Sequence, residues 1–422
     1  METYTPAQWL LIDLASQYGL DKKHFDVRLD WGKSLLPRLE GCSQDPEEIA
    51  LFFQDYIDEA DEPEMFCASL LAIKDVMLGK PTGYTVGLDA ASSGPQLLSV
   101  LCRCLTGMMN TGAIDSGLVP DLYSLIRDNL GFEAERKQVK KATVPYVYGS
   151  KREPMNVFGE ELYQKFIDAY AAVVPWAEWA KNTLINCWNS LAHYHEWETP
   201  DGGVAHVKVI RKDDTKGYFQ GRQYTYEYKK VGEKGKGEEG TRSLGANVTH
   251  SYDGYVLREL HRRCNYDPRR IRYARDIIKA YLIDATAPVH ANRNMNRKKK
   301  LFHLQKISKR FNTISVRAAN YIDSFTVQGC DKDYLKGLYQ RLNRMLEYSP
   351  FEVRTIHDEF ACCPNHVQRM KSYYNILLAE AYQSTWLFDV IQDLSGISYH
   401  EYQPEIEQDI VEAILNNNYS LN

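Results

Sequence analysis

Two short strand-like segments, each with an acid at or near its end, constrain the fold of this chain more than any other feature. The segment "GYTVGLDA" contains Asp89, and the segment "EVRTIHDEF" contains Asp358. Most of the remaining sequence has the apolar spacing of helices, so the pattern predicts an α+β chain that is mainly helical and has a small sheet. Two carboxylates that meet on adjacent strands can bind two divalent cations. Taken singly, each acid is more simply explained as a solvated residue at a strand end.

The composition excludes several classes of protein. A net charge of −5 excludes a uniformly basic molecule, so any surface that binds nucleic acid must be local. The nine cysteines include no CxxC pair and indicate reduced thiols in a cytosolic compartment; Cys362, Cys363 and His366 have poor spacing for zinc. The first residues lack the pattern of a signal peptide, and no apolar run approaches the ~20 residues of a membrane span. We therefore expect no membrane contact.

A basic and aromatic segment, "RKQVKKATVPYVYGSK" over residues 136–151, carries a second set of candidate residues. Arg136 and Lys140 share a helix face because they are one turn apart, and Tyr148, followed by Gly149, lies further along near that face. Cations at one end and an aromatic ring at the other suit a nucleotide, with the triphosphate on the cations and the base or sugar against the ring. A basic amphipathic helix on the surface explains the segment equally well.

A third set lies in "IHDEF", where His357 stands next to Asp358. This pair could be a metal ligand, a base with its partner, or an ordinary hydrogen-bonded pair, and alone it decides nothing. The three sets become informative together, because their order along the chain and their chemistry form a single pattern.

That pattern resembles polymerase motifs A, B and C of the single-subunit RNA polymerases of bacteriophages and mitochondria. The residues that match are Asp89, Ser92, Ser93, Gly94 and Gln96 in motif A, Arg136, Lys140, Tyr148 and Gly149 in motif B, and His357, Asp358 and Phe360 in motif C. Shorter matches are "TPDG" at 199–202, "VTHSYDG" at 248–254 and "DLYSLI" at 121–126. The resemblance runs from near residue 9 to about 260 and resumes near 350.

The resemblance implies a right-hand polymerase palm and fingers, with a small antiparallel palm sheet, and gives each matched residue a role. Asp89 and Asp358 would hold two Mg²⁺ ions, and His357 would sit near the growing 3′ end. The catalytic set would be Asp89, Asp358, Lys140, Tyr148 and His357. The substrate-binding set would be Arg136, Lys140, Lys141, Tyr148, Gly149, Tyr123, Gly94 and His250, with His250 beside the sugar or the minor groove of the new base pair.

Gly94 indicates which sugar the site accepts. The related DNA polymerases have a Glu at this point of motif A, whose side chain blocks a 2′-hydroxyl, whereas glycine leaves the space empty. The Tyr148 hydroxyl could then bond the 2′-hydroxyl, a bond worth about 1–3 kcal/mol. We therefore expect the catalytic subunit of a DNA-directed RNA polymerase. The alternatives are a family A-like DNA polymerase or primase, and a non-catalytic nucleic-acid-binding scaffold subunit.

The chain departs from the family in what precedes motif A. The family has a large N-terminal half with promoter-binding and thumb regions, and its Thr/Asp-x-x-Gly-Arg element has no match here. We therefore expect a second polypeptide that supplies this half, as for the larger subunit of the two-subunit phage RNA polymerases that transcribe middle genes. The other partners implied are a DNA template, an RNA–DNA hybrid and ribonucleoside triphosphates, in the cytoplasm of an infected bacterial host.

The domain organisation expected from the resemblance has five parts. They are palm with motif A (1–110), fingers with motif B (111–200), a hairpin loop and return to the palm (201–260), a helical basic insertion (261–348), and palm motif C with C-terminal helices (349–422). The basic stretch 293–310 within the insertion is explained by a solvated helix face, a contact to a phosphate backbone, or a surface that docks another protein.

A hairpin, a loop and a helix kink are also expected from the local sequence. Residues 204–231 alternate and predict one hairpin with its turn near Asp213–Gly217, and 232–243 predict a loop. The hairpin takes the place of the family's promoter-reading loop and looks short, so start-site selection is expected to need a helper such as a single-strand DNA-binding protein. Pro145 has no N–H to donate to Lys141, which predicts a kink just before Tyr148.

Overall fold

A computed structural model describes residues 1–231, 241–285 and 293–422. Over these residues the fold is α+β and mainly helical, with small antiparallel sheets. The helices are α1 (Pro6–Ala15), α2 (Phe25–Ser34), α3 (Leu36–Glu40), α4 (Pro46–Phe52), α5 (Gln54–Glu59), α6 (Pro63–Met77), α7 (Ser93–Leu101), α8 (Leu105–Asn110), α9 (Leu122–Asn129), α10 (Arg136–Val147), α11 (Arg152–Val173), α12 (Pro175–Asn186), α13 (Thr241–Cys264), α14 (Pro268–Ile283), α15 (Met295–Phe311), α16 (Lys332–Leu346), α17 (Val367–Gln383), α18 (Trp386–Ser395) and α19 (Gln408–Leu415). The strands are β1 (Val86–Asp89), β2 (Tyr194–Glu198), β3 (Val204–Lys208), β4 (Ile210–Phe219), β5 (Arg222–Val231), β6 (Arg354–Ile356) and β7 (Glu359–Cys362).

The largest sheet has three antiparallel strands in the order β1-β7-β6. Strand β1 is the one predicted from "GYTVGLDA", and its alternating Val86 and Leu88 are buried in the main core. The segment predicted as a second single strand is instead the hairpin β6–β7, which turns at His357–Asp358. The prediction of a single strand was wrong. The turn was missed because "RTIHDEF" contains none of the Gly or Pro residues that mark most tight turns.

The helical predictions are confirmed over most of the chain, with corrections at their ends. Thr5 caps α1, and its side chain and that of Gln8 form a capping box. Helix α11 is followed by α12, which begins at Pro175, and the chain after α12 continues into strand β2.

The predicted hairpin over 204–231 was wrong in its turn. Strand β3 pairs with β2, and a separate hairpin, β4–β5, turns at Gln220–Gly221. Most of the loop expected at 232–243 lies outside the described residues, and α13 begins at Thr241.

The buried apolar side chains of the described residues form two hydrophobic cores. The main core gathers buried side chains from α1 to α13 and again from Phe351 to Leu421, and it supports the three-stranded sheet. A second core lies within residues 271–345, between α14, α15 and α16, inside the range expected for a helical insertion. Within the described residues, no helix has both the length and the apolar character needed to cross a lipid bilayer.

Candidate active site

A cleft of about 1440 Å³ opens above the end of β1 and the β6–β7 turn. One wall is α10, and α13 contributes His250 and Asp253. Sites for small molecules have volumes of roughly 300–1,000 Å³, so this cleft has room for more than one nucleotide.

The cleft floor carries the two acids singled out in the sequence. Antiparallel pairing of β1 with β7 places Asp89 opposite Glu359, and the Ala90 N–H donates to the Asp358 carbonyl at 3.3 Å. Asp358 occupies the turn that joins β6 to β7, and His357 beside it has a left-handed backbone with φ of 57°. The sheet thus joins residues that are far apart in the sequence.

Negative charge is concentrated on this floor. Burial within the cleft, followed by the charges of Glu359 and Asp358, raises the pKa of Asp89 to about 6. Burial and the charge of Asp358 also raise the pKa of Glu359. Bringing a cation to these carboxylates would relieve their repulsion, so the donor set suits a hard divalent ion with oxygen ligands.

The rest of the cleft lining shows the same surplus of acids. The acidic residues are Asp21, Asp61, Glu62, Asp89, Asp253, Asp358 and Glu359, and the basic ones are Lys22, Arg136, Lys137 and Lys140. Among the described residues, no group of three or more His, Cys, Asp or Glu side chains is close enough to form a metal site by itself. A Mg²⁺ ion bound by the two Asp carboxylates would therefore need substrate phosphates or water to complete its coordination.

The basic side chains of α10 line the same cleft as the two acids. Arg136 forms an ion pair with Asp121 at 2.7 Å, and its guanidinium lies 5.5 Å from the centre of the Tyr123 ring. The Lys140 ammonium lies 5.9 Å from the same ring and is exposed to solvent in the cleft. One helix turn separates the two cations, so they can bind neighbouring phosphate groups.

Tyr148, at the C-terminal end of α10, forms the third part of the site. The His250 ring stacks on the Tyr148 ring with centroids 4.4 Å apart and planes 18° apart. A Cβ atom added to Gly94 would lie 3.3 Å from the Tyr148 hydroxyl oxygen, so these residues are in close contact. Pro145 lies in the last turn of α10, which ends at Val147, and the kink expected there stays a prediction.

The cleft brings together nine of the eleven residues that were given catalytic or substrate-binding roles from the sequence. They are Asp89, Gly94, Tyr123, Arg136, Lys140, Tyr148, His250, His357 and Asp358. Lys141 is exposed on α10 and Gly149 is buried with φ of 89°, both outside the cleft lining.

Two further acids, Asp253 and Glu359, line the cleft, and neither was expected there from the sequence. The signal for Asp253 was its position three residues after His250 on a helix, which puts both side chains on one face. The signal for Glu359 was weaker, because only the hairpin register places it beside Asp89.

Comparisons with known proteins do not identify the chain. No protein-family model matches it, and no curated protein sequence is significantly similar to it. The interpretation of the cleft therefore depends on its geometry and on the motifs described above.

Proposed function

We propose that this chain is the catalytic subunit of a DNA-directed RNA polymerase, which adds ribonucleotides to an RNA 3′ end on a DNA template. One observation carries the proposal: Asp89 at the end of β1 and Asp358 in the neighbouring β6–β7 turn line one cleft, and α10 presents Arg136, Lys140 and Tyr148 to the same cleft. The sheet with its acids corresponds to a polymerase palm, and α10 corresponds to the fingers.

The side chains divide the work of nucleotidyl transfer between the two sides of the cleft. Arg136 and Lys140 bind the triphosphate, and the Asp121 carboxylate keeps Arg136 in place by its ion pair. Mg²⁺ ions bound by Asp89 and Asp358 would stabilise the charge that develops on the attacking and leaving oxygens. His357 lies beside Asp358 at the turn, next to the position expected for the RNA 3′ end.

The choice of ribonucleotides follows from the end of α10. Gly94 carries no side chain into the space around the Tyr148 hydroxyl, so nothing at position 94 blocks the approach of a 2′-hydroxyl; even a Cβ there would lie only 3.3 Å from the hydroxyl oxygen. This contact supports an RNA polymerase over a family A-like DNA polymerase, which would need that space closed.

The proposal includes a second polypeptide that completes the thumb side of the enzyme. Helices α4 and α6 pack together, and they and the residue that caps α6 expose the large apolar side chains of Leu51, Phe52, Met65, Met77 and Leu78. Exposed apolar surface of this kind favours a partner that covers it. The remaining partners proposed are a DNA template, the RNA–DNA hybrid and a single-strand DNA-binding promoter helper, in the cytoplasm of an infected bacterium.

Primer extension on a short RNA–DNA scaffold tests the proposal. We expect the chain, alone or with a co-purified partner, to add ribonucleotides in Mg²⁺ and to stop when EDTA is added. Asp358→Asn should reduce the rate by at least about 1,000-fold, because it removes a charged ligand from the site of transition-state stabilisation. Binding of the scaffold should remain nearly unchanged.

Asp30→Asn is the matched control, since the Asp30 side chain is 76% exposed on α2 and outside the cleft. It should extend primers at the wild-type rate. Preferential use of deoxynucleotides would favour a DNA polymerase, and use without a primer would favour a primase. Scaffold binding without extension in any condition would favour a non-catalytic subunit.

A further inference from the structure

Helix α13 presents two polar side chains to the cleft, and one of them has no role in the proposed reaction so far. His250 and Asp253 are three residues apart and line the cleft together. The His250 ring stacks on Tyr148, so this face of α13 lies against the end of α10. Asp253 is therefore held close to the place where Tyr148 and Gly94 meet.

The Asp253 carboxylate has no protein partner within the described part of the chain. It is largely enclosed, yet neither a hydrogen bond nor an ion pair joins it to another described residue. Burial, followed by the charge of Asp358, raises its pKa to about 6. Enclosed carboxylates are normally hydrogen-bonded or paired with a cation, because an unpaired one is costly. An acceptor of this kind is suited to a donor from a ligand.

Its neighbours identify the kind of donor. After burial, the charge of Asp253 is the next largest cause that raises the pKa of Tyr148 to about 12. Asp358 acts on Asp253 in the same way, and all three residues line the same cleft, so the Asp253 carboxylate is near both Tyr148 and Asp358. A ligand group that approaches the Tyr148 hydroxyl in this part of the cleft also comes near this carboxylate.

A third metal ligand is the alternative, and the structure does not favour it. Asp253 does not join Asp89 and Asp358 in a cluster of three metal-binding side chains within the described residues. An ionised carboxylate only accepts hydrogen bonds, and acidic side chains recognise ribose hydroxyls in this way in nucleotide sites. The 2′-hydroxyl is also the group by which proteins distinguish RNA from DNA.

We propose that Asp253 accepts a hydrogen bond from a ribose 2′-hydroxyl and so helps the cleft to select ribonucleotides. The inference rests on the proposed function and adds a specificity residue to it. The hydroxyl can come from the incoming nucleotide or from the last nucleotide of the RNA, since both lie near Asp358 in that reaction. The chemistry is the same for both sources, and the experiment separates them.

The test measures kcat and KM for Asp253→Asn and for the wild type on four substrate combinations. GTP or 2′-deoxyGTP is added to a primer that ends in a 2′-hydroxyl or a 2′-hydrogen. We expect the wild type to prefer the hydroxyl at one of these two places, and Asp253→Asn to lose about 10- to 100-fold of that preference there. Asp253→Glu should restore part of it. Asp333→Asn, whose side chain is 89% exposed, should behave as wild type.

Two results would overturn the inference. One is an equal loss of rate with all four substrate combinations, which would indicate a general effect on the site. The other is an unchanged preference at both places. Thermal unfolding midpoints of Asp253→Asn and Asp253→Ala establish that the variants are folded, so that a loss of activity is not mistaken for a loss of selection.

Calorimetric binding of GTP and 2′-deoxyGTP separates this inference from the proposed function. A wild-type chain that binds GTP more tightly but never extends a primer would contradict the polymerase proposal. If Asp253→Asn then removed the difference in affinity, the ribose contact would be supported. If the difference persisted in Asp253→Asn, the contact would be refuted whatever the reaction.

Discussion

Gly94 and Tyr148 are in closer contact than side chains normally allow. A Cβ atom at position 94 would lie 3.1 Å from a Val147 methyl and 3.3 Å from the Tyr148 hydroxyl oxygen, tighter than most real Cβ contacts. A glutamate there would have to displace the Tyr148 ring, which is itself stacked on His250. The close approach of the Tyr148 hydroxyl to α7 therefore depends on glycine at this position.

Tyr148→Phe removes the hydroxyl and keeps the ring. We expect the preference for ribonucleotides over deoxynucleotides to fall about 5- to 100-fold, which is the effect of one lost hydrogen bond of about 1–3 kcal/mol. The measurement is kcat/KM for matched pairs of nucleotides. Tyr218→Phe is the control because Tyr218 is 75% exposed and outside the cleft lining. An unchanged preference in Tyr148→Phe would assign the selection to another group.

Asp13 is a buried acid on α1, and its ionisation makes stability depend on pH. Burial raises its pKa from 3.8 to about 7, although hydrogen bonds from Tyr84 and Gln17 lower it. Between these two values the folded chain keeps a proton that the unfolded chain has lost. The free energy of unfolding contributed by Asp13 is therefore largest below pH 4 and is lost as the pH rises to about 7.

Asp13→Asn should remove this part of the pH dependence. The difference in unfolding free energy between Asp13→Asn and the wild type should move in favour of the variant by up to about 1.4 kcal/mol per pH unit between pH 4 and 7. Urea unfolding at several pH values measures it. Asp26→Asn provides an exposed carboxylate as control, and parallel pH profiles for Asp13→Asn and wild type would contradict the argument.

At the scale of elements, strands were predictable where their own sequence determined them. The apolar alternation of Val86 and Leu88 predicted β1, and the spacing of Arg136 and Lys140 predicted that the two cations would share one face of α10, which lines the cleft. Turns were less predictable. Gln220 and Gly221 have φ of 50° and 73°, the left-handed pair of a tight hairpin turn, but Gln seldom occupies such a position.

Some residues of the candidate site could likewise be predicted from the sequence, and others could not. Its residue types could be recognised in the sequence, because two strand-end acids and a basic helix suit phosphate chemistry. The place of Asp253 on α13 could not be derived from local patterns alone, since only tertiary packing brings it toward Tyr148 and Asp358. Likewise, the place of Glu359 depends on the register of β7 against β1, which no local pattern specifies.

Helix α13 is anchored to the β2–β3 hairpin by a buried acid in "TPDG". The Asp201 side chain is 1% exposed and bonds Arg258 and Arg262 of α13 at 2.9 and 2.8 Å. Burial alone would raise the Asp201 pKa, but the hydrogen bonds of Arg258 and Thr199 and the charges of the arginines lower it well below the usual range. This anchor fixes the helix that carries His250 and Asp253.

Asp201→Asn should destabilise the chain by about 2 kcal/mol. Breaking a fully buried ion pair costs roughly 3–5 kcal/mol, and the arginines here still reach solvent, which reduces the loss. Urea unfolding near neutral pH measures the change, with Asp30→Asn as the exposed control. Because α13 would be held less firmly, we also expect a rise in KM for the nucleotide. A wild-type unfolding midpoint would show that the anchor contributes nothing to stability.

At the scale of the whole molecule, charge limits how the chain can hold nucleic acid. The net charge is −5, and the cleft lining has more acidic than basic side chains. Each basic contact to a phosphate strengthens binding and increases its dependence on salt. With few such contacts in the cleft, the chain alone should bind a primer–template weakly and release it often.

We therefore predict that the chain alone extends primers distributively. Product length on an RNA–DNA scaffold should fall as the enzyme is diluted, and heparin added with the nucleotides should limit each binding event to short products. Raising the salt concentration should shorten them further, because the basic contacts are screened. A co-purified second polypeptide should lengthen the products at the same enzyme concentration. Full-length products from single binding events of the chain alone would mean that these 422 residues grip the duplex without help.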